Sequence, residues 1–238
     1  MWLARFYDAL PAIQQEHPKS RWLFLTLTVR NCPISDLRET LRDMNSAWNR
    51  LRLRKEFRPV SGWIRTTEVT RGKDGSAHPH FHCLLMVPPS MVSGVNYVKQ
   101  ARWVEMWQEC ARLDYSPVVD IRTVKSRAPK EGQTEAEAGA DALRGAAAET
   151  LKYSVKPSDM TDDPAWFIEM TKQVHRLRFV ATGGALKDVL RVDEETQEEL
   201  ALADSPASEQ DDGARLAFNW RKDEARYRRF PQGDKPAD

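Results

Sequence analysis

Only three cysteines occur, Cys32, Cys83 and Cys110, and no two share a CxxC spacing. An odd, scattered set excludes a disulfide framework and argues against a structural zinc finger. No apolar run approaches the length of a membrane span, and Met1 leads into mixed residues with no secretory leader. A soluble protein in a reducing, cytoplasmic setting is the expectation. A Walker motif is missing, which argues against an intrinsic helicase, and the H-E-x-x-H pattern of many metallohydrolases is missing too. Charge excess is also lacking. Formal net charge is +1 over 238 residues, so bulk charge does not announce a polyanionic partner.

What is present is unevenly spread. Hydrophobic residues make up 41% of the chain and eight are Trp, enough for one sizeable core. Eight basic residues fall between Arg50 and Lys73: Arg50, Arg52, Arg54, Lys55, Arg58, Arg65, Arg71 and Lys73. Only Glu56 and Glu68 oppose them there. The first five lie at the end of a helical pattern, where they suit the helix dipole as a solvated end. They also fit a rim that contacts phosphate. The stretch from Asp193 to Asp212 is acidic.

The segment Gly62 to Pro88 holds the densest chemistry. Two apolar-rich runs flank a glycine-containing turn, which predicts a β-hairpin. The second run carries His78, His80 and His82, three of the five histidines. On a strand, His80 and His82 point to one face and Phe81 to the other. Glu68 on the first run lies within cross-strand reach. Two imidazoles and a carboxylate can hold one divalent ion with open positions. A solitary strand histidine is ordinarily a surface group or a satisfied core group. Here Cys83 to Val87 follow directly, so the cluster's edge is buried, and burial without a partner is costly.

Periodicity predicts a helix over Trp2 to Ile13, broken at His17-Pro18, and a strand over Arg21 to Arg30. On that strand Phe24, Thr26 and Thr28 share one face, and Leu25, Leu27 and Val29 share the other. The threonine face is expected to look toward the hairpin histidines. A helix capped by Ser35 or Asp36 runs to about Leu53, another covers Tyr97 to Leu113, and a strand covers Pro117 to Lys125. Ser126 to Gly139 reads as a loop, and Ala140 to Val155 as an alanine-rich helix ending at Pro157. Ala165 to His175 reads as a helix, and Gly183-Gly184 as a turn before a helix start. The sum is an α+β fold: a central antiparallel sheet with helices packed mainly on one face.

The alanine-rich helix carries Glu149, Tyr153 and Lys156 on neighbouring turns of one face, with Lys152 pointing elsewhere. A helical Tyr is ordinarily a packing residue. It can also be a nucleophile if a nearby cation such as Lys156 eases ionisation of the phenol. Glu149 could then activate water. Spacing alone does not bring this helix to His80.

Together these residues resemble plasmid rolling-circle replication initiators of the Rep_1 family, within the HUH endonucleases. The matching segments are Phe24-Leu25-Thr26-Leu27-Thr28 and His78-Pro79-His80-Phe81-His82, the latter preceded by the Glu68-Val69-Thr70 strand. The third is Glu149 followed by Lys152-Tyr153-Ser154-Val155-Lys156, then Ser158-Asp159. The likeness covers about Trp2 to Leu190. It implies an initiator domain with an RRM-like palm over 1–190 and a polar extension over 191–238, partly disordered or helical.

The resemblance assigns metal binding to His80 and His82, with Glu68 as the third ligand and His78 as either a ligand or a supporting group. Tyr153 would be the nucleophile, Glu149 the carboxylate that directs water, and Lys156 its neighbour in the reaction. Arg50, Arg52, Arg54, Lys55, Arg58, Arg65, Arg71, Lys73 and Lys152 would contact DNA. The ion would be Mn²⁺ or Mg²⁺, and the product a 5′-phosphotyrosine link with a free 3′-OH. Implied partners are plasmid double-strand origin DNA in single-stranded or hairpin form, and a host helicase, polymerase and single-strand-binding protein. No membrane is implied, and a homodimer is left open. A relaxase or transposase would use the same chemistry, and a non-catalytic origin-binding protein would leave no covalent adduct.

Overall fold

The computed structural model describes residues 2–125, 132, 134–151, 163–190, 218–221 and 226–229. Two compact units divide the chain, Met1–Arg191 and Val192–Asp238. The first contains α1 (Trp2–Glu16), β1 (Arg21–Thr28), α2 (Leu37–Arg52), β2 (Gly62–Arg71), β3 (Ala77–Val87) and α3 (Gln100–Ala111). It continues with β4 (Val119–Thr123), α4 (Glu135–Thr150), α5 (Pro164–Val174) and β5 (Val180–Gly184). The strands form one antiparallel sheet in the order β4-β1-β3-β2-β5. No described helix is long and apolar enough to cross a membrane.

Strand periodicity explains the two faces. Leu25, Leu27, Phe81, Cys83 and Leu85 point to one side and are buried against α2, α3 and α5 through Met44, Trp48, Trp103, Trp107 and Met170. Each large side chain fully removed from water contributes roughly 1.5–3 kcal/mol. The other side changes character along each strand. β1 reads Trp22, Phe24, Thr26, Thr28; β3 reads Met86, Leu84, His82, His80; β2 reads Ile64, Thr66, Glu68. The apolar end is covered by Phe6, Leu10 and Ile13 of α1 and by Leu143 and Ala147 of α4. The helices thus cover one face of the sheet and one end of the other, and the polar end of that second face carries the candidate chemistry.

Three local readings change. α4 starts at Glu135, not Ala140, because Thr134 and Glu137 form a capping box: Thr134 Oγ1 accepts from the Glu137 N–H, and the Glu137 carboxylate accepts from the Thr134 N–H. This T-x-x-E signature lay inside the stretch read as a loop. α2 begins through a 3-10 turn, Ile34–Asp36, with no side-chain cap from Asp36. Gly183 and Gly184 belong to edge strand β5 rather than to a turn. A Cβ on Gly183 would sit 2.4 Å from the Trp63 ring, and Gly184 has φ +62° with Ser61 O 2.3 Å from where its Cβ would be. Only glycine lets this strand approach β2 so closely.

The second unit contains two paired strands, β6 (Phe218–Arg221) and β7 (Arg226–Arg229). A polar extension, partly disordered or helical, was expected over 191–238. Aromatic residues alternate with polar ones in Phe218-Asn219-Trp220-Arg221, a strand period rather than a helical one.

Candidate metal centre

The β2–β3 hairpin fixes the register. Glu68 is directly opposite His80, and Thr66 is opposite His82, which also faces Thr26 of β1. The tight turn from Gly72 to Ser76 makes this possible; it closes with Gly72 N–H donating to Ser76 O at 2.8 Å and has Gly75 at φ +82°. Glu68, His80 and His82 are only 4%, 9% and 7% exposed. Glu68 Oε2 lies 3.1 Å from His80 Nε2 and 2.9 Å from His82 Nε2.

The remaining ring nitrogens are oriented. His80 Nδ1 lies 3.3 Å from the His78 carbonyl O, which can only accept, and His82 Nδ1 lies 3.2 Å from Thr26 Oγ1. Nδ1–H donation to the carbonyl turns the His80 Nε2 lone pair toward the carboxylate, and the Thr26 hydroxyl, which can accept as well as donate, is compatible with the same tautomer at His82. In that tautomer two lone pairs and a carboxylate oxygen converge, and a cation satisfies all three. Adjacent octahedral ligands at about 2.1 Å from an ion are separated by about 3.0 Å, which matches the observed spacings. One donor atom from each of the three residues lies within 4.8 Å of the others, so this group could hold a metal ion. Phe24 packs beside it, its ring centroid 5.4 Å from that of His82.

His78 stands outside the triad. Its Nδ1 is 2.7 Å from Asn31 Oδ1, and its ring centroid is 5.2 Å from that of His80. Burial, reinforced by neighbouring His80, holds its imidazole below the usual histidine value. Its backbone carbonyl lies beside His80 Nδ1, and its ring is not among the three donors that converge.

The basic residues separate. Arg50 Nε donates to Cys110 O at 2.6 Å, Arg54 pairs with Glu109, and Arg52 lies 5.0 Å over the Trp63 ring. These contacts set the end of α2 against α3 and the start of β2, on the helix-covered face away from Glu68. Lys55 and Arg58 are exposed in the turns that follow. Nearness in sequence to the hairpin therefore did not place this rim beside the site.

Arg65 departs furthest from expectation. It is 3% exposed, with its guanidinium 4.2 Å over Phe81 and 5.7 Å over Trp48. One residue's shift in parity from Thr66 turns it to the covered face. Its Nε has no hydrogen-bond partner, and burial pulls the group down to about 10. It cannot reach a phosphate from there. An unpaired buried cation costs stability, so Arg65→Met is expected to raise the thermal unfolding midpoint and leave DNA binding unchanged. A fall in the midpoint would show that the guanidinium is paired.

Arg71 and Lys73 lie at the turn end of the hairpin. Arg71 Nη2 binds Asp163 Oδ2 at 2.7 Å, and Lys73 is exposed. Glu149 is exposed on the last turn of α4. Lys152, Tyr153 and Lys156 lie outside the described residues. A contact that sequence reading missed ties the end of α4 to the sheet: Thr66 Oγ1, beside His82, donates to Thr150 O at 2.5 Å. The alternation of Thr66 with Glu68 was the signal for it.

Comparison with known proteins follows the same residues. A family model described as Rep_1, replication protein, matches residues 1–228. The match passes Leu190, where the resemblance carried by the sequence motifs ends. A protein named "Protein rep" from Streptococcus pneumoniae is 33% identical over 221 residues, 90% of this chain and 65% of the relative. Another "Protein rep", from Lactiplantibacillus plantarum, is 38% identical over 181 residues, 72% of this chain and 55% of the relative. The chain thus spans less than two thirds of the length of these two relatives. A "Replication protein" from Staphylococcus aureus is 31% identical over 225 residues, 90% of this chain and 92% of the relative. No solved structure matches the chain. With the match reaching from residue 1 to residue 228 and the Staphylococcus aureus relative aligned over nearly its whole length, the chain belongs to the Rep_1 family of replication proteins.

Proposed function

We propose that this chain initiates rolling-circle replication of a plasmid by nicking one strand at the origin through a tyrosine nucleophile. The observation that carries the reading is the convergence of Glu68, His80 and His82 at the open end of the sheet in a replication-family chain. Glu68, His80 and His82 would hold Mn²⁺ or Mg²⁺, which when bound draws charge from the scissile phosphate. Tyr153 follows Thr150 by three residues, a span of at most about 11 Å of chain, and Thr150 O is bonded beside His82. The Tyr153 oxygen attacks phosphorus in line with the departing 3′ oxygen. A phosphotyrosine bond forms, the P–O3′ bond breaks, and the proton lost by the phenol is balanced by one gained at the 3′ oxygen. Lys156 offsets the charge that develops on the phenol. The phosphoester is conserved, so rejoining needs no ATP. Glu149 directs the water that ends the cycle.

The 3′-OH would be extended by a host polymerase. Origin DNA in single-stranded or hairpin form is the proposed substrate. A host helicase, a single-strand-binding protein and a second copy of the chain are proposed partners, and the cytoplasm the proposed setting.

The test uses labelled single-stranded DNA from the plasmid origin with Mn²⁺ or Mg²⁺. A denaturation-resistant adduct is expected with the native chain and none with Tyr153→Phe. Glu149→Ala is expected to keep the first nick and lose hydrolytic release. An undiminished adduct in Tyr153→Phe would remove the reading. Specific binding without any adduct would favour the non-catalytic alternative.

A further inference from the structure

The ladder between β1 and β3 changes register beyond the metal centre. Thr28 is opposite His80, but Cys32 is opposite Ala77. Residues 29–31 therefore face only 78 and 79, one residue fewer, and Pro79 has no N–H to offer a ladder. This is a β-bulge, a device that re-aims a side chain and leaves a backbone group outside the ladder. Here that group is the Arg30 N–H, which donates to the Tyr115 hydroxyl at 2.8 Å. The Arg30 guanidinium carbon lies 3.8 Å from the centre of the Tyr115 ring. The segment that carries Tyr115 is itself held to β1. Thr28 Oγ1 donates to Val118 O at 2.9 Å, and Trp107 Nε1 donates to Thr28 O at 2.7 Å.

Arg30 is exposed. Among the described residues no carboxylate pairs with it and no acceptor takes its guanidinium hydrogens. Arg54, Arg71 and Arg102, by contrast, all meet carboxylates. A guanidinium held over a ring, with its outer face in water, offers a plane to a second π-system. Its place suggests which one. Arg30 is two residues past Thr28, roughly 7 Å along the chain, and the next residue, Asn31, bonds His78 Nδ1 at 2.7 Å. A DNA strand with its phosphate at Glu68, His80 and His82 brings its neighbouring nucleotides within reach. Single strands expose base faces that a duplex hides, and bases stack on aromatic rings and on arginine planes.

We infer that Arg30 and Tyr115 form a nucleobase platform: one unpaired base beside the scissile phosphate stacks on the outer face of the Arg30 guanidinium, with Tyr115 behind it. This rests on the chain acting on single-stranded DNA at the Glu68, His80 and His82 centre. Stacking tolerates any base, so the platform sets where the strand lies along the site more than which sequence it carries. It also places a DNA contact outside the basic run from Arg50 to Lys73.

The test is equilibrium binding of the full chain to labelled single-stranded origin DNA. Fluorescence anisotropy reads it in EDTA, where no metal-dependent cutting occurs, and again in Ca²⁺. Each strand of a series carries one abasic site, moved position by position. In the native chain one position is expected to cost roughly 5–100-fold in affinity, the range for one stacked base. In Arg30→Ala that abasic site should cost almost nothing further, because base and guanidinium form a single interaction. Arg30→Lys keeps the charge and loses the plane. On intact DNA it should bind nearly as weakly as Arg30→Ala, with the native salt slope. Tyr115→Leu should weaken binding at the same position. Thermal unfolding checks each variant, and the exposed Arg30→Lys change carries the test if Tyr115→Leu does not fold.

A phosphate contact gives the opposite pattern. Arg30→Lys would then bind as the native chain does, Arg30→Ala would lower the salt slope by about one, and abasic penalties would be equal in both proteins. That pattern, or the absence of any abasic position that depends on Arg30, overturns the platform alone. Failure of the native chain to bind the single strand in either condition removes the DNA reading and the platform with it. An Arg30-dependent position in a chain that forms no adduct keeps the platform and removes only the nicking reading.

Discussion

Glu68→Ala is expected to lower Mn²⁺ affinity by at least about 100-fold, the upper end of what removal of an outer supporting group costs. Isothermal titration, or loss of the free Mn²⁺ resonance signal on binding, measures it. Among the described residues Glu68 supplies the carboxylate of the convergent group, and its Oε2 lies within 3.1 Å of both imidazole nitrogens. Without it two neutral nitrogens remain, and a hard cation prefers oxygen. Thr26→Val tests the outer support. It removes the hydroxyl beside His82 Nδ1 and should cost roughly 10-fold. Unchanged affinity in Glu68→Ala would mean that the three residues are only a buried hydrogen-bonded cluster.

Phe81→Ala is expected to destabilise the fold by about 3–5 kcal/mol, read as a lower urea midpoint. Phe81 is fully buried between the two ligand positions, its ring 6.3 Å from that of Trp107. The surrounding side chains come from β1, β2, α2 and α3, so the site has little freedom to collapse. The Phe81 ring also covers the Arg65 guanidinium at 4.2 Å, and its loss leaves that cation without one of its two aromatic neighbours. Mn²⁺ affinity should fall as well, because the strand that spaces His80 from His82 loses its anchor on the opposite face. A loss below about 0.5 kcal/mol, the size of a surface change, would show that the core repacks freely.

The centre was legible because its rule is local. A period of two places His80 and His82 together, and a short turn places Glu68 opposite His80 before any tertiary contact is considered. The threonine face of β1 was legible for the same reason, and Thr26 does meet His82. The basic run was misplaced by treating nearness in sequence as nearness in space. Arg50, Arg52 and Arg54 are spent on α3 and Trp63, and Arg65 faces the core. The fifth strand was hidden because Gly183-Gly184 is a turn signal taken alone and becomes strand only against Trp63 and Ser61.

By itself the sequence determined the hairpin, its register and the three donors that converge, along with the switch from apolar to polar residues along β1, β2 and β3. These follow from strand geometry over a few residues. Tertiary structure alone decided which face the helices cover, and that α4 and α5 are both tied to β2. Those outcomes depend on contacts between segments some 84 and 92 residues apart, whose pairing no short-range period encodes.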